Sequence, residues 1–218
     1  MIIIMLGAPG TGKGTVASLL ADELKIPQVS TGDIFRKNIR EKTELGKLAE
    51  SYISKGNLVP DDVTIDLVKS RLKEPDAQEG VILDGFPRTV KQAEELDKIL
   101  QKEQSEVDIV INLVTPEDEI VERIENRRIC PECKSVYNLK LTPPKQDGIC
   151  DKCGHELVKR KDDNVDTIKS RIKTYIDLTS PLIEYYEKKE KLYTSEVSER
   201  INRLGSDVAK DVVKILKK

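Results

Sequence analysis

The residues with the clearest chemical purpose lie near the start of the chain. Gly7-x4-Gly12-Lys13 follows the apolar run Ile2–Leu6 and leads into a helical stretch. Glycines in such a turn let successive backbone N–H groups converge on phosphate oxygens. The helix that follows adds positive potential, and its lysine is spaced to reach the β and γ phosphates. Gly10, Thr11, Gly12, Lys13, Gly14 and Thr15 would form this cradle. It departs from the general pattern at one position: Gly14 stands where Ser or Thr follows the lysine, and Thr15 comes one place later.

Asp84 closes the apolar run Val81-Ile82-Leu83. A carboxylate at the end of a central strand beside a phosphate loop suits Mg²⁺ held through water, because that ion dehydrates reluctantly. The plainer alternative is a strand-end residue capping the next turn. Gly85-Phe86-Pro87-Arg88 then turns an arginine into the same edge, with Gln92 expected on one helix face with it. Arg36, Arg123, Arg127, Arg128, Arg160 and Arg171 add further guanidinium groups, Arg123 and Arg127 at the i, i+4 spacing of a helix. Phosphoryl transfer spreads negative charge over equatorial oxygens and needs several rigid cations. In Arg160-Lys161-Asp162-Asp163 the two carboxylates can hold arginines in place, or cap the helix that follows. Ser30-Thr31-Gly32-Asp33, taken alone, is a helix start with a hydroxyl cap.

All four cysteines cluster as Cys130-x2-Cys133-x16-Cys150-x2-Cys153. In a cytosolic chain that spacing is two knuckles giving four thiolates to one tetrahedral Zn²⁺, rather than disulfides. The sole histidine, His155, competes weakly, since four sulfurs already complete the shell.

These residues need a scaffold, and the hydrophobic pattern supplies an alternating one. Strands are expected at Ile2–Leu6, Val81–Leu83 and Ile109–Val114, with weaker candidates at Pro27–Ser30 and Glu199–Leu204. Helices are expected over Thr15–Leu24, Gly32–Glu41, Leu45–Lys55, Asp61–Lys73, Val90–Glu103, Pro116–Arg127, Asn164–Lys189 and Asp207–Lys217. The alternation implies an open α/β sheet with helices on both faces and ligands at the strand C-terminal ends. Residues 33–57 lack a strand and suit a helical lobe. Residues 129–158 lack a helical period and suit a metal-stapled insert too small for a core of its own.

Composition excludes other classes. With 218 residues and a net charge of −2, the chain has no strong field for nucleic acid or anionic membrane. No stretch approaches the roughly 20 apolar residues of a membrane span, and the opening run is too short for a signal peptide. A cytoplasmic monomer is expected.

Together the segments Gly7–Thr15, Ser30–Asp33, Leu83–Arg88 and Arg160–Asp163 resemble those of the adenylate kinase family, of the long bacterial type with a zinc-bearing lid. The similarity covers essentially the whole chain and includes the glycine after the lysine. It implies a P-loop three-layer α/β/α fold with a central parallel sheet, a helical nucleoside-monophosphate-binding lobe and a small zinc-binding lid. The core domain would comprise residues 1–29, 60–126 and 164–218, the AMP-binding lobe 30–59, and the lid 127–163. The implied reaction is ATP + AMP ⇌ 2 ADP with Mg²⁺. ATP would be held by Gly10–Thr15, Arg127, Val136 and Tyr137, with a backbone carbonyl around Gly205-Ser206-Asp207 at its adenine. AMP would be held by Thr31, Arg36, Asn57, Leu58, Val59, Gly85, Phe86, Pro87, Arg88 and Gln92, the glutamine reading its adenine edge. Arg160 and Arg171 would bridge toward the AMP phosphate, and Arg123 would meet the transferring group. Lys13 and Asp84 complete the catalytic set. Many zinc-lid relatives have Asp as fourth ligand where this chain has Cys153; a four-thiolate shell favours zinc further, and accepts iron. Two alternatives remain at this stage: another nucleoside monophosphate kinase (GTP:AMP or UMP/CMP), or a zinc-ribbon ATPase on nucleic acid. Scarce aromatics and slight acidity argue against the second.

Overall fold

The computed structural model describes residues 1–217. In chain order the elements are β1 (Ile2–Gly7), α1 (Lys13–Leu24), β2 (Gln28–Ser30), α2 (Thr31–Arg40), α3 (Glu44–Ile53), α4 (Asp61–Leu72), β3 (Val81–Asp84), α5 (Val90–Lys102), β4 (Ile109–Val114), α6 (Glu117–Glu125), β5 (Arg127–Ile129), β6 (Val136–Asn138), α7 (Val165–Thr174), α8 (Pro181–Glu187), β7 (Leu192–Glu196) and α9 (Gly205–Leu216).

Five strands form one parallel sheet in the order β2-β3-β1-β4-β7. Every residue of β1 is buried, and its side chains alternate between two cores. Ile2, Ile4 and Leu6 pack with residues of α4, α5 and α8 on one face. Ile3 and Met5 pack with Val16, Ala17 and Leu20 of α1 and with Val208 and Val212 of α9 on the other. A strand apolar on both sides can only be central, which is why the phosphate loop that follows β1 lies at the middle of the sheet. The chain leaves β1 toward β2 and β3 on one side and β4 and β7 on the other. The crevice at that switch point is the ligand position expected for this topology.

Two smaller bodies flank the sheet. Phe35, Ala49 and Val59 give α2, α3 and the following loop a small core of their own, as expected for a helical lobe. β5 and β6 form an antiparallel pair in the cysteine insert, where Cys130, Tyr137 and Cys150 pack with Leu157.

Several element boundaries differ from the sequence pattern. The edge strand lies at Leu192–Glu196, not at Glu199–Leu204. The latter stretch is a tight loop closed by reciprocal Ser198–Arg203 backbone hydrogen bonds of 3.0 Å. Helix α6 ends at Glu125, so Arg127 belongs to β5 and shares no helix face with Arg123. Arg88 precedes Thr89, the N-cap of α5, so it shares no helix with Gln92 either. The single helix expected over Asn164–Lys189 is divided by a π-helical turn, Tyr175–Thr179, before Pro181 restarts it at the position proline favours.

Candidate active site

The phosphate loop depends on backbone shapes that side chains oppose. Gly7 has φ +135, and a Cβ there would lie 2.4 Å from the Leu113 carbonyl oxygen. Gly12, at φ 89, is the N-cap of α1 and gives no side-chain hydrogen bond to the helix start, so the first amides of α1 keep no side-chain acceptor. Lys13 Nζ donates to the carbonyls of Gly7 at 2.8 Å and Ala8 at 2.7 Å, which aims it across the loop. A Cβ on Gly14 would stand 3.4 Å from Asp84 Oδ2. Any longer side chain there would fill the gap between the helix start and that carboxylate, which accounts for the glycine after the lysine. Gln28 Nε2 donates to Asp84 Oδ2 at 3.2 Å and so orients it.

Around this loop the structure brings together most of the arginines singled out by sequence. Burial lowers Lys13 to a pKa of about 7; Asp84 opposes the shift, and Arg88, Arg171 and Arg127 add to it. Burial, then Arg36 and Arg127, press down the Arg160 guanidinium. Its buried Nε has no hydrogen-bond partner among the described residues. Arg127 is held by Asp163 through contacts of 2.9 and 2.5 Å, and Arg171 Nη1 by Asp162 at 3.1 Å. Against its own burial, Asp162 is kept below the usual carboxylate range by Arg171, Arg36 and Arg160. The carboxylates thus hold the arginines, as the sequence allowed, while Asn164 is the helix cap. Closely packed like charges are each destabilised by the others, and a polyanion relieves all of them at once.

Beside this cluster, Thr31, Arg36, Asn57, Leu58, Val59, Gly85, Arg88, Gln92 and Arg171 line one cleft between the helical lobe and the sheet. Ser30 Oγ caps α2 by accepting from Asp33 N at 3.3 Å, and Thr31 Oγ1 donates to the Gly85 carbonyl at 2.8 Å. Arg88 Nε donates to the same carbonyl at 2.9 Å. Gln92 is buried, its Oε1 accepting from Arg88 N and its Nε2 donating to Asp61 Oδ1, both at 2.7 Å. The amide is therefore fixed, with one proton and one lone pair left over. Phe86 and Pro87 are buried under the cleft, and Phe86 belongs to the main core, so its ring supports the cleft floor and does not face it.

The four cysteine sulfurs lie within 4.8 Å of one another. A tetrahedral metal with bonds of about 2.3 Å needs sulfurs about 3.8 Å apart. The set fits, and the cluster could bind a metal ion. His155 is exposed with its Nδ1 beside the Cys153 carbonyl oxygen, outside the sulfur cluster.

Three residues expected to meet nucleotide also make contacts within the chain. Tyr137 is turned into the insert's small core, where its hydroxyl accepts from Asp151 N at 2.8 Å; Val136 beside it is exposed. Asp207 accepts from the Leu204 amide at 3.0 Å and caps α9. Arg123 lies apart from the cationic cluster, bound to Glu119, Glu199 and Thr115. Sequence reasoning missed Gln28 and Asp61, whose roles come from neighbours 56 and 31 positions away. It also missed Glu119, whose i, i+4 spacing to Arg123 was a readable signal.

A phosphate loop at the switch point of a parallel sheet, facing clustered arginines and a second anion cleft, defines a phosphoryl-transfer enzyme of the P-loop class. The family model described as Adenylate kinase matches residues 5–191. An adenylate kinase of Acetivibrio thermocellus is 47% identical over 216 residues, covering 99% of this chain and 98% of that one. One from Archaeoglobus fulgidus is 49% identical, covering 99% of both chains. One from Streptomyces coelicolor is 53% identical over 188 residues, covering 86% of this chain and 87% of its own. The chain belongs to the adenylate kinase family. It is a phosphotransferase with adenylate kinase function, and membership implies ATP, AMP and ADP as substrates. Among the described residues no helix is long and apolar enough to cross a membrane.

Proposed function

We propose that the protein catalyses Mg²⁺-dependent transfer of the ATP γ-phosphoryl group to AMP, with the following division of labour. Gly10–Thr15 cradle the ATP phosphates, and Lys13 and Arg127 neutralise them. Val136 and the backbone of Tyr137 border the adenine, and so does the backbone near Asp207. Thr31, Arg36, Asn57, Leu58, Val59, Gly85, Arg88 and Gln92 hold AMP over the floor made by Phe86 and Pro87. Arg160 and Arg171 reach its phosphate. The observation that carries this reading is that one carboxylate pair, Asp162-Asp163, holds both Arg127 and Arg171 between the phosphate loop and the cleft. Those arginines are preorganised where charge develops during an in-line transfer.

Asp84 would hold water on Mg²⁺, which when bound neutralises charge on the β and γ phosphates. Among the described residues no general base stands out in the cleft, and no covalent intermediate is needed; orientation and exclusion of water do the work. Residues 30–59 act as the AMP-binding lobe and 127–163 as the lid, closing on a core of 1–29, 60–126 and 164–218. The lid metal is Zn²⁺, bound by Cys130, Cys133, Cys150 and Cys153 in a structural role. The enzyme works as a cytoplasmic monomer without nucleic-acid or membrane partners. The test is ADP formation from ATP and AMP with and without Mg²⁺. Turnover only with the ion supports the scheme; equal turnover in excess chelator overturns the role of Asp84.

A further inference from the structure

The four cysteines of the insert are not equivalent, and a tetrahedral metal makes no use of the difference. Cys133 and Cys153 are exposed, whereas Cys130 and Cys150 are buried. Sulfur contacts run between the two knuckles: Cys130 Sγ to Cys153 Sγ at 3.3 Å, and Cys133 Sγ to Cys150 Sγ at 3.5 Å. Each contact therefore pairs an exposed sulfur with a buried one. The second pair is also met by hydroxyls at both ends. Ser135 Oγ lies 3.2 Å from Cys133 Sγ, and Tyr137 Oη lies 3.5 Å from Cys150 Sγ. The Tyr137 hydroxyl accepts from Asp151 N at 2.8 Å, which leaves its own proton for the Cys150 sulfur. Among the described residues no side-chain hydroxyl is hydrogen-bonded to the sulfur of Cys130 or Cys153.

An exposed sulfur beside a hydroxyl, in contact with a buried second sulfur, is the arrangement of a reacting thiol and its resolving partner. With hydrogen peroxide, Cys133 Sγ attacks one oxygen. An S–O bond forms, the O–O bond breaks, and the leaving oxygen departs as water with a proton relayed by Ser135 Oγ. Cys150 Sγ then attacks Cys133 Sγ. An S–S bond forms, the S–O bond breaks, and the hydroxyl leaves as a second water. Each sulfur is oxidised by one electron, and one peroxide is reduced to two waters. The two protons needed come from the thiols, or from solvent where the sulfurs enter as metal-bound thiolates. Because the resolving sulfur is already in contact, closure precedes attack by a second peroxide, and oxidation stops at the disulfide.

We propose that Cys133 and Cys150 are an oxidant-responsive pair, which a hydroperoxide converts to a disulfide that takes over from the metal in joining the two knuckles. The disulfide consumes two of the four sulfurs proposed to hold Zn²⁺, so the ion is released. A bridge between residues 17 positions apart then keeps the insert closed after the metal has left. The release rests on the proposed Zn²⁺ site; the disulfide does not.

The experiment treats the metal-loaded full chain with hydrogen peroxide while a chromogenic chelator follows metal release. Remaining thiols are then blocked and the bridges mapped by mass spectrometry. Cleavage after Glu132 and after Lys152 puts each cysteine on its own peptide. The first bridge should join Cys133 to Cys150, metal should appear in step with it, and dithiothreitol should reverse it. Ser135→Ala should slow bridge formation about fivefold, the scale of one neutral hydrogen bond, with metal content unchanged. Cys133→Ser should leave Cys150 reduced at doses that oxidise wild type; Ser135→Ala carries the test should that variant fail to fold. The oxidised protein should melt above the reduced, chelated protein. A first bridge within one knuckle or between Cys130 and Cys153 overturns the proposal. So does Cys133 sulfinic acid with Cys150 still reduced, an unchanged rate in Ser135→Ala, or an oxidised midpoint no higher than the chelated one. Protein that carries no metal would defeat the proposed Zn²⁺ site alone, because the bridge map is read equally from the metal-free chain.

Discussion

Arg127 and Asp163 meet in a two-point ion pair, Nε to Oδ2 at 2.9 Å and Nη2 to Oδ1 at 2.5 Å, across 36 positions of sequence. The pair joins the strand that enters the cysteine insert to the segment that leaves it. The Asp163 side chain is fully buried and also lies 3.5 Å from Arg171. One carboxylate thus orients two of the guanidinium groups at the phosphate site. Asp163→Asn preserves the shape, leaves Arg127 partly buried without its counter-charge and leaves Arg171 with Asp162 alone. The expected cost is about 3 kcal/mol of stability, read as a shift of the urea midpoint; an unchanged midpoint would refute the role of Asp163.

Lys13, proposed to serve phosphate, donates to the loop carbonyls of Gly7 and Ala8. Lys13→Met should lower kcat by about a thousandfold or more, the scale of removing a charge that stabilises a transferring phosphoryl group. The thermal midpoint should not fall, because a desolvated amine leaves the interior. A variant keeping a tenth of wild-type turnover would exclude the assigned role.

The depressed pKa of Lys13, about 7 against its ordinary 10.5, has a sign that calorimetry can read. At pH 8 the free protein holds this amine mostly neutral, and triphosphate favours the charged form, so ATP binding takes up a proton. Binding enthalpies in two buffers of different ionisation heat should differ accordingly, and the difference should vanish in Lys13→Met. In the free protein, the unfolded chain binds this proton more readily than the folded one between about pH 7 and 10.5. Stability contributed by this group therefore rises with pH across that window. Buffer-independent enthalpies at pH 8 would contradict the shift.

The phosphate loop and the cysteine set were legible in sequence because each depends on local spacing, whereas the cleft residues followed from the family resemblance. Glycines, a following lysine and two C-x2-C knuckles announce themselves within a few residues. The central strands were legible for the same reason, since burial on both faces writes continuous apolar runs. β7 was not: it pairs only with β4, and of Leu192–Glu196 only Ser195 is buried, so no apolar run marks it. Ile201 and Leu204 imitated a strand but are exposed in a loop. The side-chain partners of Arg123 were not legible, because its carboxylate Glu199 comes from 76 positions away.

The small core of the cysteine insert is Tyr137 and Leu157 packed with Cys130 and Cys150, so a metal bound as proposed would supply much of its stability. Prolonged chelation should lower the thermal midpoint and increase proteolysis within residues 127–163 before the core is cut. Cys153→Asp should keep one metal per chain, since carboxylate is also a zinc ligand. Metal analysis of the purified protein that finds neither zinc nor iron would remove the premise.

The central claim, transfer from ATP to a monophosphate seated in the Thr31–Gln92 cleft, is tested most directly by an acceptor panel. With Mg²⁺ and ATP fixed, kcat/KM is measured for AMP, UMP, CMP and GMP. The account predicts AMP as the best acceptor by a wide margin, with ADP as the sole nucleotide product. A preference for UMP or CMP over AMP would contradict it.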